Sequence, residues 1–303
     1  MNVDIKVILV TRRTRLQELV AQYNTEEQTR FVIESRGQRF QEYYQENSNY
    51  LQAVTAVEAV LTPSARVQKL DREFLPNFIF GPKDIVVVVG QDGLVANTLK
   101  YLKGQPLIAI NPEPSRYDGV LLPFEVKDAR AIVGDVARGI FKTKNITLGR
   151  AEINDGQELI AVNDFFIGPR SHTSARYELT VGSKMEAHSS SGIIVSTGLG
   201  STGWMKSVLA GAQGIAGTDR ELASMPWDCD YLQFAVREPF PSQTTGVDLV
   251  FGQVTRQSRM TVASKMASHG VIFSDGMVDD YIEFNSGAIC TVGISDAVGR
   301  LVV

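Results

Sequence analysis

Five consecutive apolar residues, Ile85–Val89, run into Gly90-Gln91-Asp92-Gly93 and then into a helical stretch from Leu94 to Lys103. This feature constrains the fold most. An unbroken β-branched run that does not alternate suits a strand buried on both faces, as in a parallel sheet. Gly104 lies just past the helix, where a left-handed residue ends helices. Leu107–Ile110 reads as the next strand, and Asn111-Pro112-Glu113-Pro114 stops it. The result is a β-α-β unit within an α/β layer covering roughly the first 125 residues. Ile5–Val10 supplies the first strand, followed by Arg12, Arg13 and Arg15. Thr14–Gln17 and Thr25–Gln28 fit capping boxes that open two helices. Between Phe40 and Leu61, Tyr43, Tyr44, Leu51, Val54, Val57, Val60 and Leu61 recur at helical spacing. That long helix ends at Thr62-Pro63.

The character changes after Phe124. From about residue 145 to 290, short alternating stretches stand between turn residues: Tyr177–Val181, Ile193–Ser196, Arg259–Ala263, Val271–Phe273 and Tyr281–Phe284. They predict an all-β region. The fold class is therefore α/β plus all-β, an N-terminal doubly wound parallel-sheet domain with a second, β-rich domain. A chain of 303 residues is long enough for both.

Composition narrows the partners. A net charge of -4 gives no support to general binding of nucleic acid or an anionic membrane surface, which would need a basic face; the arginines after the first strand are a local exception. No apolar run approaches the roughly 20 residues of a spanning helix, and the opening MNVDIK lacks the apolar core of a signal peptide. Cys229 and Cys290 make no metal spacing and no disulfide framework, which suits a reducing cytoplasm. His172, His188 and His269 are too widely spaced to suggest a zinc enzyme.

Three stretches carry chemistry. The glycine turn at residues 90–93 offers amide N–H groups at a helix N-terminus, which attracts phosphate. Asp92 is out of place there as a mere binder. It either accepts a proton from an attacking hydroxyl, holds a cation, or simply caps the helix. In residues 189–204, the strand Ile193–Ser196 enters a loop with Gly198, Gly200 and Gly203 interleaved with serine and threonine. Such a loop lets backbone approach a ligand and supplies hydroxyls; the alternative is an irregular corner. In residues 161–167, Asn163-Asp164 before an apolar strand presents an amide and a carboxylate to ribose hydroxyls or base edges, or else forms an Asx turn.

Taken in order, these stretches resemble the NAD kinase family, within the wider group that includes diacylglycerol kinases and 6-phosphofructokinases. The family's Gly-Gly-Asp-Gly turn stands here as Gly90-Gln91-Asp92-Gly93. Its Leu-Asn-Asp/Glu stretch stands as Val162-Asn163-Asp164, and its Asp-Gly leader as Ser191-Gly192. Its Gly-Ser-Thr-Ala-Tyr loop stands as Gly200-Ser201-Thr202-Gly203-Trp204, and a later Asp-Gly as Asp275-Gly276. The resemblance spans roughly residues 85 to 285. It implies that Asp92 helps deprotonate the 2′-hydroxyl of the adenosine ribose and that Gly90, Gln91 and Gly93 border the nucleotide phosphates. It also implies that Asn163 and Asp164 hold the NAD ribose and phosphate region, with Ser201 and Thr202 against the adenosine half. Ser191, Gly200, Trp204 and Asp275 complete the expected dinucleotide contacts. Five positions depart from the pattern: Gln91 replaces glycine, Leu94 threonine, Ser191 aspartate, and Gly203-Trp204 replace Ala-Tyr.

The resemblance further implies ATP as donor, NAD as acceptor and Mg2+ held by the donor phosphates, since no dedicated carboxylate cage stands in the sequence. It implies that the last strand, around Ile289–Ile294, returns to the first domain. The expected domains are then residues 1–126 with a returning segment at about 289–303, and residues 127–288. It also implies a homo-oligomer, dimer or tetramer. The stretch 221–241, with Trp227, Tyr231, Phe234 and Phe240, fits either an interface or the β-domain's own core. Arg12 and Arg13 follow a strand whose carboxyl end faces the ligand crevice of a doubly wound sheet. They suit donor phosphates or an ordinary helix start. Arg116 and Asp118 either contact a ligand in the crevice or belong to a rigid loop set by Pro112 and Pro114. Lys100 and Lys103 complement a helix dipole, and His172 has no assigned role. Two other readings remain open: a sugar or lipid hydroxyl kinase on this scaffold, and a non-catalytic dinucleotide sensor.

Overall fold

The computed structural model describes residues 5–219, 221, 224–277 and 280–303. The first four residues of MNVDIK, and residues 222 and 223 of the 221–241 stretch, lie outside the described residues. The chain divides into two compact units, one reaching to Lys144 and including Arg300–Val303, the other spanning Asn145–Gly299.

The first unit is built on parallel strands β1 (Lys6–Thr11), β2 (Arg66–Asp71), β3 (Ile85–Val89), β4 (Pro106–Asn111) and the short β5 (Phe124–Glu125). Their order is β2-β1-β3-β4, with β5 pairing the carboxyl end of β4. All five residues of β3 are buried, as an unbroken β-branched run requires. Helices α1 (Arg15–Tyr23), α2 (Glu26–Ser35) and α3 (Phe40–Leu61) lie between β1 and β2. Helix α4 (Asp92–Leu99) follows β3, and α5 (Ala129–Arg138) follows β5. Tyr50, Ala53, Val57 and Leu61 of α3 pack with Ala129, Val133 and Val136 of α5 against Val7, Leu9, Val87 and Ile108 of the sheet.

The predicted α3 has its observed bounds because its apolar stripe is continuous. Thr14 forms a reciprocal capping box with Gln17. At the second site Thr25 accepts from the Gln28 amide, and no return bond completes the box. Helix α4 differs from its expected span of Leu94–Lys103. It starts at Asp92 because Gln91 takes the extended N-cap geometry, and it closes at Leu99. Helix α5 was not expected, although Gly139 at φ 74° ends it in the usual way.

The second unit contains most of β6 (Thr143–Ile153), β7 (Glu158–Ala161), β8 (Asp164–Pro169), β9 (Ala175–Val181), β10 (Lys184–Ser190) and β11 (Ile193–Ser196). It continues with β12 (Tyr231–Val236), β13 (Phe251–Thr255), β14 (Met260–Ser264), β15 (Gly270–Ser274), β16 (Tyr281–Glu283) and most of β17 (Ile289–Val302). One antiparallel sheet runs β13-β12-β11-β8-β15-β16. The other runs β10-β9-β14-β17, and β6 pairs with β7. Alternation divides each strand between two layers. Phe165, Ile167, Ile193, Val195, Phe234 and Ile272 fill the core between the sheets with Tyr177, Leu179, Val262 and Val292. Phe166, Ile194, Ala235 and Val271 face the other way, under Met205, Val208 and Leu209 of helix α6 (Trp204–Ala216). That helix corrects the expectation of a purely β region. Within the first unit, Arg300 and Leu301 at the end of β17 pair with Pro106 and Leu107 of β4; the return falls on residues 300–303, later in the chain than the expected Ile289–Ile294, which belongs to the second unit.

Candidate functional site

The first unit places its glycine turn at a topological switch point. From β1 the chain crosses to β2 on one side, then to β3 on the other, so the carboxyl ends of β1 and β3 diverge into a crevice. Tyr50 spans that point. Its hydroxyl donates to the Val89 carbonyl at 3.0 Å and accepts from the Arg12 amide at 2.9 Å. Burial pushes this phenol up to about 12, so it remains a donor. Gly90, Gln91, Asp92 and Gly93 follow directly. Gln91 is the N-cap residue without a side-chain capping bond, and Asp92 lies inside the first turn of α4. The capping role for Asp92 is thereby excluded. Its Oδ1 instead accepts the Leu121 amide at 2.8 Å, tying down the loop after β4.

Arg12, Arg15 and Arg116 converge on a single carboxylate, Glu46 of α3, whose side chain is 3% exposed. Arg12 Nη2 stands 3.3 Å from Oε1, Arg15 Nη2 2.5 Å and Arg116 Nη1 3.9 Å from Oε2. The Tyr117 hydroxyl reaches Oε1 at 3.5 Å. Burial alone would push the Glu46 carboxyl up; the hydrogen bonds and charges of Arg15 and Arg12 more than reverse this and hold it below the usual carboxylate range. Arg13, by contrast, is an exposed residue paired with exposed Glu73 at 3.0 Å. Sequence reasoning missed Glu46. The signal was available, since Glu46 sits four residues before Tyr50 on the buried stripe of α3, where an acid needs a partner.

In the second unit, Asn163, Asp164, Gly200, Thr202 and Trp204 line one cavity of about 360 Å³ with Leu199, Gly203, Asp275 and Gly276. Backbone geometry assembles it. Asp275 turns its carboxylate onto the amides of residues 162–164: Oδ1 accepts from Asn163 at 2.6 Å and from Val162 at 3.0 Å. Asp275 itself holds φ 55°, uncommon for a residue other than glycine. Thr197 ties the glycine loop to the same turn, its hydroxyl donating to the Val162 carbonyl at 2.6 Å and accepting from the Gly200 amide at 3.2 Å. A Cβ on Gly200 would meet the Asn163 carbonyl at 2.0 Å, so this glycine admits protein backbone.

An aromatic wall adjoins the cavity. Phe166 stacks on Trp204 at 5.7 Å and on Phe273 at 5.8 Å, and the Arg237 guanidinium lies 5.5 Å from the Trp204 ring. A smaller cavity of about 180 Å³ is bounded by these three rings together with Asp164, Asp275, Gly276 and Met277. Asp164 is buried and lines both cavities, and its carboxyl receives no hydrogen bond among the described residues. Burial, with the Asp275 charge adding to it, pushes that carboxyl up to about 7. Phe166 and Phe273 were not expected here. Phe166 was readable, because a strand places it opposite its inward neighbour Phe165.

Two expected residues lie elsewhere in this unit. The Ser201 hydroxyl is buried in its own loop, donating to the Gly198 carbonyl at 2.7 Å and accepting from Met225 at 3.0 Å. Ser191 lines a separate cleft of about 810 Å³ with Arg176, Ser189, Glu238 and Lys265. Among the described residues no group of three or more His, Cys, Asp or Glu side chains could hold a metal ion. Nor is any described helix long and apolar enough to cross a membrane.

No protein-family model matches the chain, and no curated protein matches its sequence. Solved structures do. The chain is similar to yeast NADH kinase complexed with NADH, at a TM-score of 0.66 and 13% identity over 99% of this chain and 84% of that one. It is also similar to an NAD kinase from Archaeoglobus fulgidus in complex with ATP, at a TM-score of 0.61 and 16% identity over 98% and 93% of the two chains. At these identities the likeness shows the fold, an α/β parallel-sheet domain with a β-rich domain as in NAD(H) kinases.

Proposed function

We propose that this chain is a phosphotransferase that moves the γ-phosphoryl group of ATP to the 2′-hydroxyl of NAD, giving NADP and ADP. One observation carries the reading. Residues far apart in sequence, Asn163, Asp164, Gly200, Thr202, Trp204 and Asp275, line a single cavity, and it adjoins a slot walled by aromatic rings. A flat base suits such walls, and a buried carboxyl without a donor suits the hydroxyls or ring amine of a nucleoside. The likeness to kinases bound to NADH and to ATP supports the same assignment.

In this reading the acceptor dinucleotide occupies the second unit, with Asn163 and Asp164 on its ribose and Trp204 against its base. The donor phosphates occupy the switch point of the first unit, bordered by Gly90, Gln91 and Gly93, with Arg12 beside them. Asp92 takes the proton as the ribose oxygen bonds to the γ-phosphorus and the bond to the bridging oxygen of ADP breaks. Its Leu121 contact occupies one carboxylate oxygen and fixes the orientation of the other. Magnesium, carried by the donor, would neutralise charge on the transferring group. Positioning and charge neutralisation do most of the work in such transfers. The extra side chain at Gln91 and the loss of a carboxylate at Ser191 favour a second reading, a kinase for another hydroxyl. One experiment separates them. ADP release is followed with ATP and magnesium while NAD, NADH, simple sugars and diacylglycerol are screened. NAD-dependent release with NADP formed supports the assignment. Release with a sugar or lipid alone transfers it to the second reading, and release with none removes both.

A further inference from the structure

The arginine cluster around Glu46 holds more positive charge than its acids neutralise. Three guanidiniums, Arg12, Arg15 and Arg116, face two carboxylates: Glu46, shared by all three, and Glu113, bound by Arg116 Nε at 3.0 Å. Their positions in the chain are unrelated. Arg12 follows β1, Arg15 opens α1, Arg116 lies in the loop after β4, and Glu46 belongs to α3. All three arginines stand at the carboxyl ends of parallel strands, on the side where such sheets bind ligands. They also differ in access. Arg12 is 13% exposed and lies over the Tyr50 ring, whereas Arg15 is 57% and Arg116 31% exposed. A guanidinium carries five N–H donors, and Glu46 can engage only part of those offered to it.

We propose that Arg15 and Arg116 form a phosphate-binding pair for a diphosphate or triphosphate group, and that Glu46 is a built-in competitor that keeps the pair aligned while weakening it. This rests on the reading of the first unit as the donor side and changes which residues do the work. Arg13 is bound to Glu73 and takes no part; Arg12 is the buried strut. Guanidinium forks match phosphate oxygens in pairs, and a carboxylate is the nearest protein mimic of that anion. Glu46 therefore fixes the geometry that a phosphate would need, at the cost of repelling it.

The sign of the consequence is unusual: deleting an acid should tighten anion binding. Glu46→Gln preserves size and an acceptor oxygen and removes the charge. A single negative charge removed from near contact, in partly exposed surroundings, corresponds to roughly a five-fold tightening or more. Arg15→Ala and Arg116→Ala should each weaken binding by roughly ten-fold, as expected for a charge-assisted pair to phosphate.

The test is calorimetric titration of the full chain with pyrophosphate at low salt, with NAD titrated in parallel. Expected are tighter pyrophosphate binding by Glu46→Gln, weaker binding by both arginine variants, and NAD affinity unchanged in all three. Wild-type pyrophosphate affinity in Arg15→Ala and Arg116→Ala overturns the proposal. So does unchanged or weaker binding by a folded Glu46→Gln. If Glu46→Gln does not fold, the two arginine variants decide alone. Absence of pyrophosphate binding by the wild-type chain also overturns it. Because NAD-dependent ADP release is a separate measurement, loss of the phosphate pair and loss of the kinase reading give different patterns.

Discussion

Asp164→Asn should stabilise the protein at alkaline pH and do nothing at acidic pH. The carboxyl is buried beside Asp275, receives no hydrogen bond among the described residues, and is pushed from 3.8 up to about 7. The sign follows from linkage. Well below pH 3.8 the group is protonated both folded and unfolded, so burial of its charge costs nothing. As pH rises from there toward 7, the unfolded chain loses the proton while the native protein keeps it, and stability falls. Above 7 the native site is ionised and the cost is complete. A change from 3.8 to about 7 corresponds to about 4 kcal/mol at most, since each pK unit is about 1.4 kcal/mol. Local relaxation and water entry reduce this, so about 1–3 kcal/mol is the working expectation. For a unit of this size, each kcal/mol moves the melting temperature by about 2–4 °C. The asparagine amide has the same shape and carries no charge at any pH. Melting of both proteins by circular dichroism at about pH 3 and about pH 8 should show a gain of at least about 3 °C at the higher pH and none at the lower. An equal difference at both values, or a loss at pH 8, would mean that Asp164 is paired or solvated in the native protein. A carboxyl held at such a cost fits a site that acquires its donor from a ligand.

Asn163→Ala should raise KM for NAD well above its effect on KM for ATP in steady-state assays, and so should Asp164→Ala; the opposite pattern would put the pair on the donor. Trp204→Ala removes the ring stacked on Phe166 and should weaken NAD binding by roughly three- to ten-fold in titration, with the donor unaffected. The chain should form a homo-oligomer, dimer or tetramer, at micromolar concentration in light scattering; active material at 33.2 kDa would refute that. The motive is the apolar surface of α6, where Trp204 is 39% and Ile215 92% exposed.

Much of this fold was legible wherever one local rule acted without competition. The stripe of α3 and the β-branched run of β3 have the bounds their patterns predict, because burial on one face or both leaves no other register. Helix α4 was misplaced by two residues at its start because Gln91, rather than a side-chain cap, sets the N-terminus. Helix α6 was missed because its small residues, Ala210, Gly211, Ala212 and Gly214, blur the amphipathic period, and only Met205 is fully buried. At the candidate site, motif order pointed to Asn163, Asp164, Gly200, Thr202, Trp204 and Asp275. Their grouping depends on hydrogen bonds between distant segments, such as Asp275 to residues 162–164. Ser201 carried the same motif signal, yet its hydroxyl serves its own loop, a choice made by one rotamer. Glu46 and Phe166 illustrate the reverse case. Each stood in plain periodic patterns, and neither belongs to a motif.

The central claim, phosphoryl transfer to NAD with Asp92 as proton acceptor, is tested most directly by kcat and NAD affinity of Asp92→Asn beside Asp92→Ala. The asparagine oxygen can still accept the Leu121 amide, so the loop after β4 stays tied, while alanine releases it. Wild-type protein should form NADP. Asp92→Asn should lose roughly 10²–10⁴-fold in kcat with NAD affinity kept, as removal of a general base requires. No NADP from wild-type protein, or an Asp92→Asn kcat within about tenfold of wild type while Asp92→Ala alone fails, would contradict it and leave Asp92 as an anchor for Leu121.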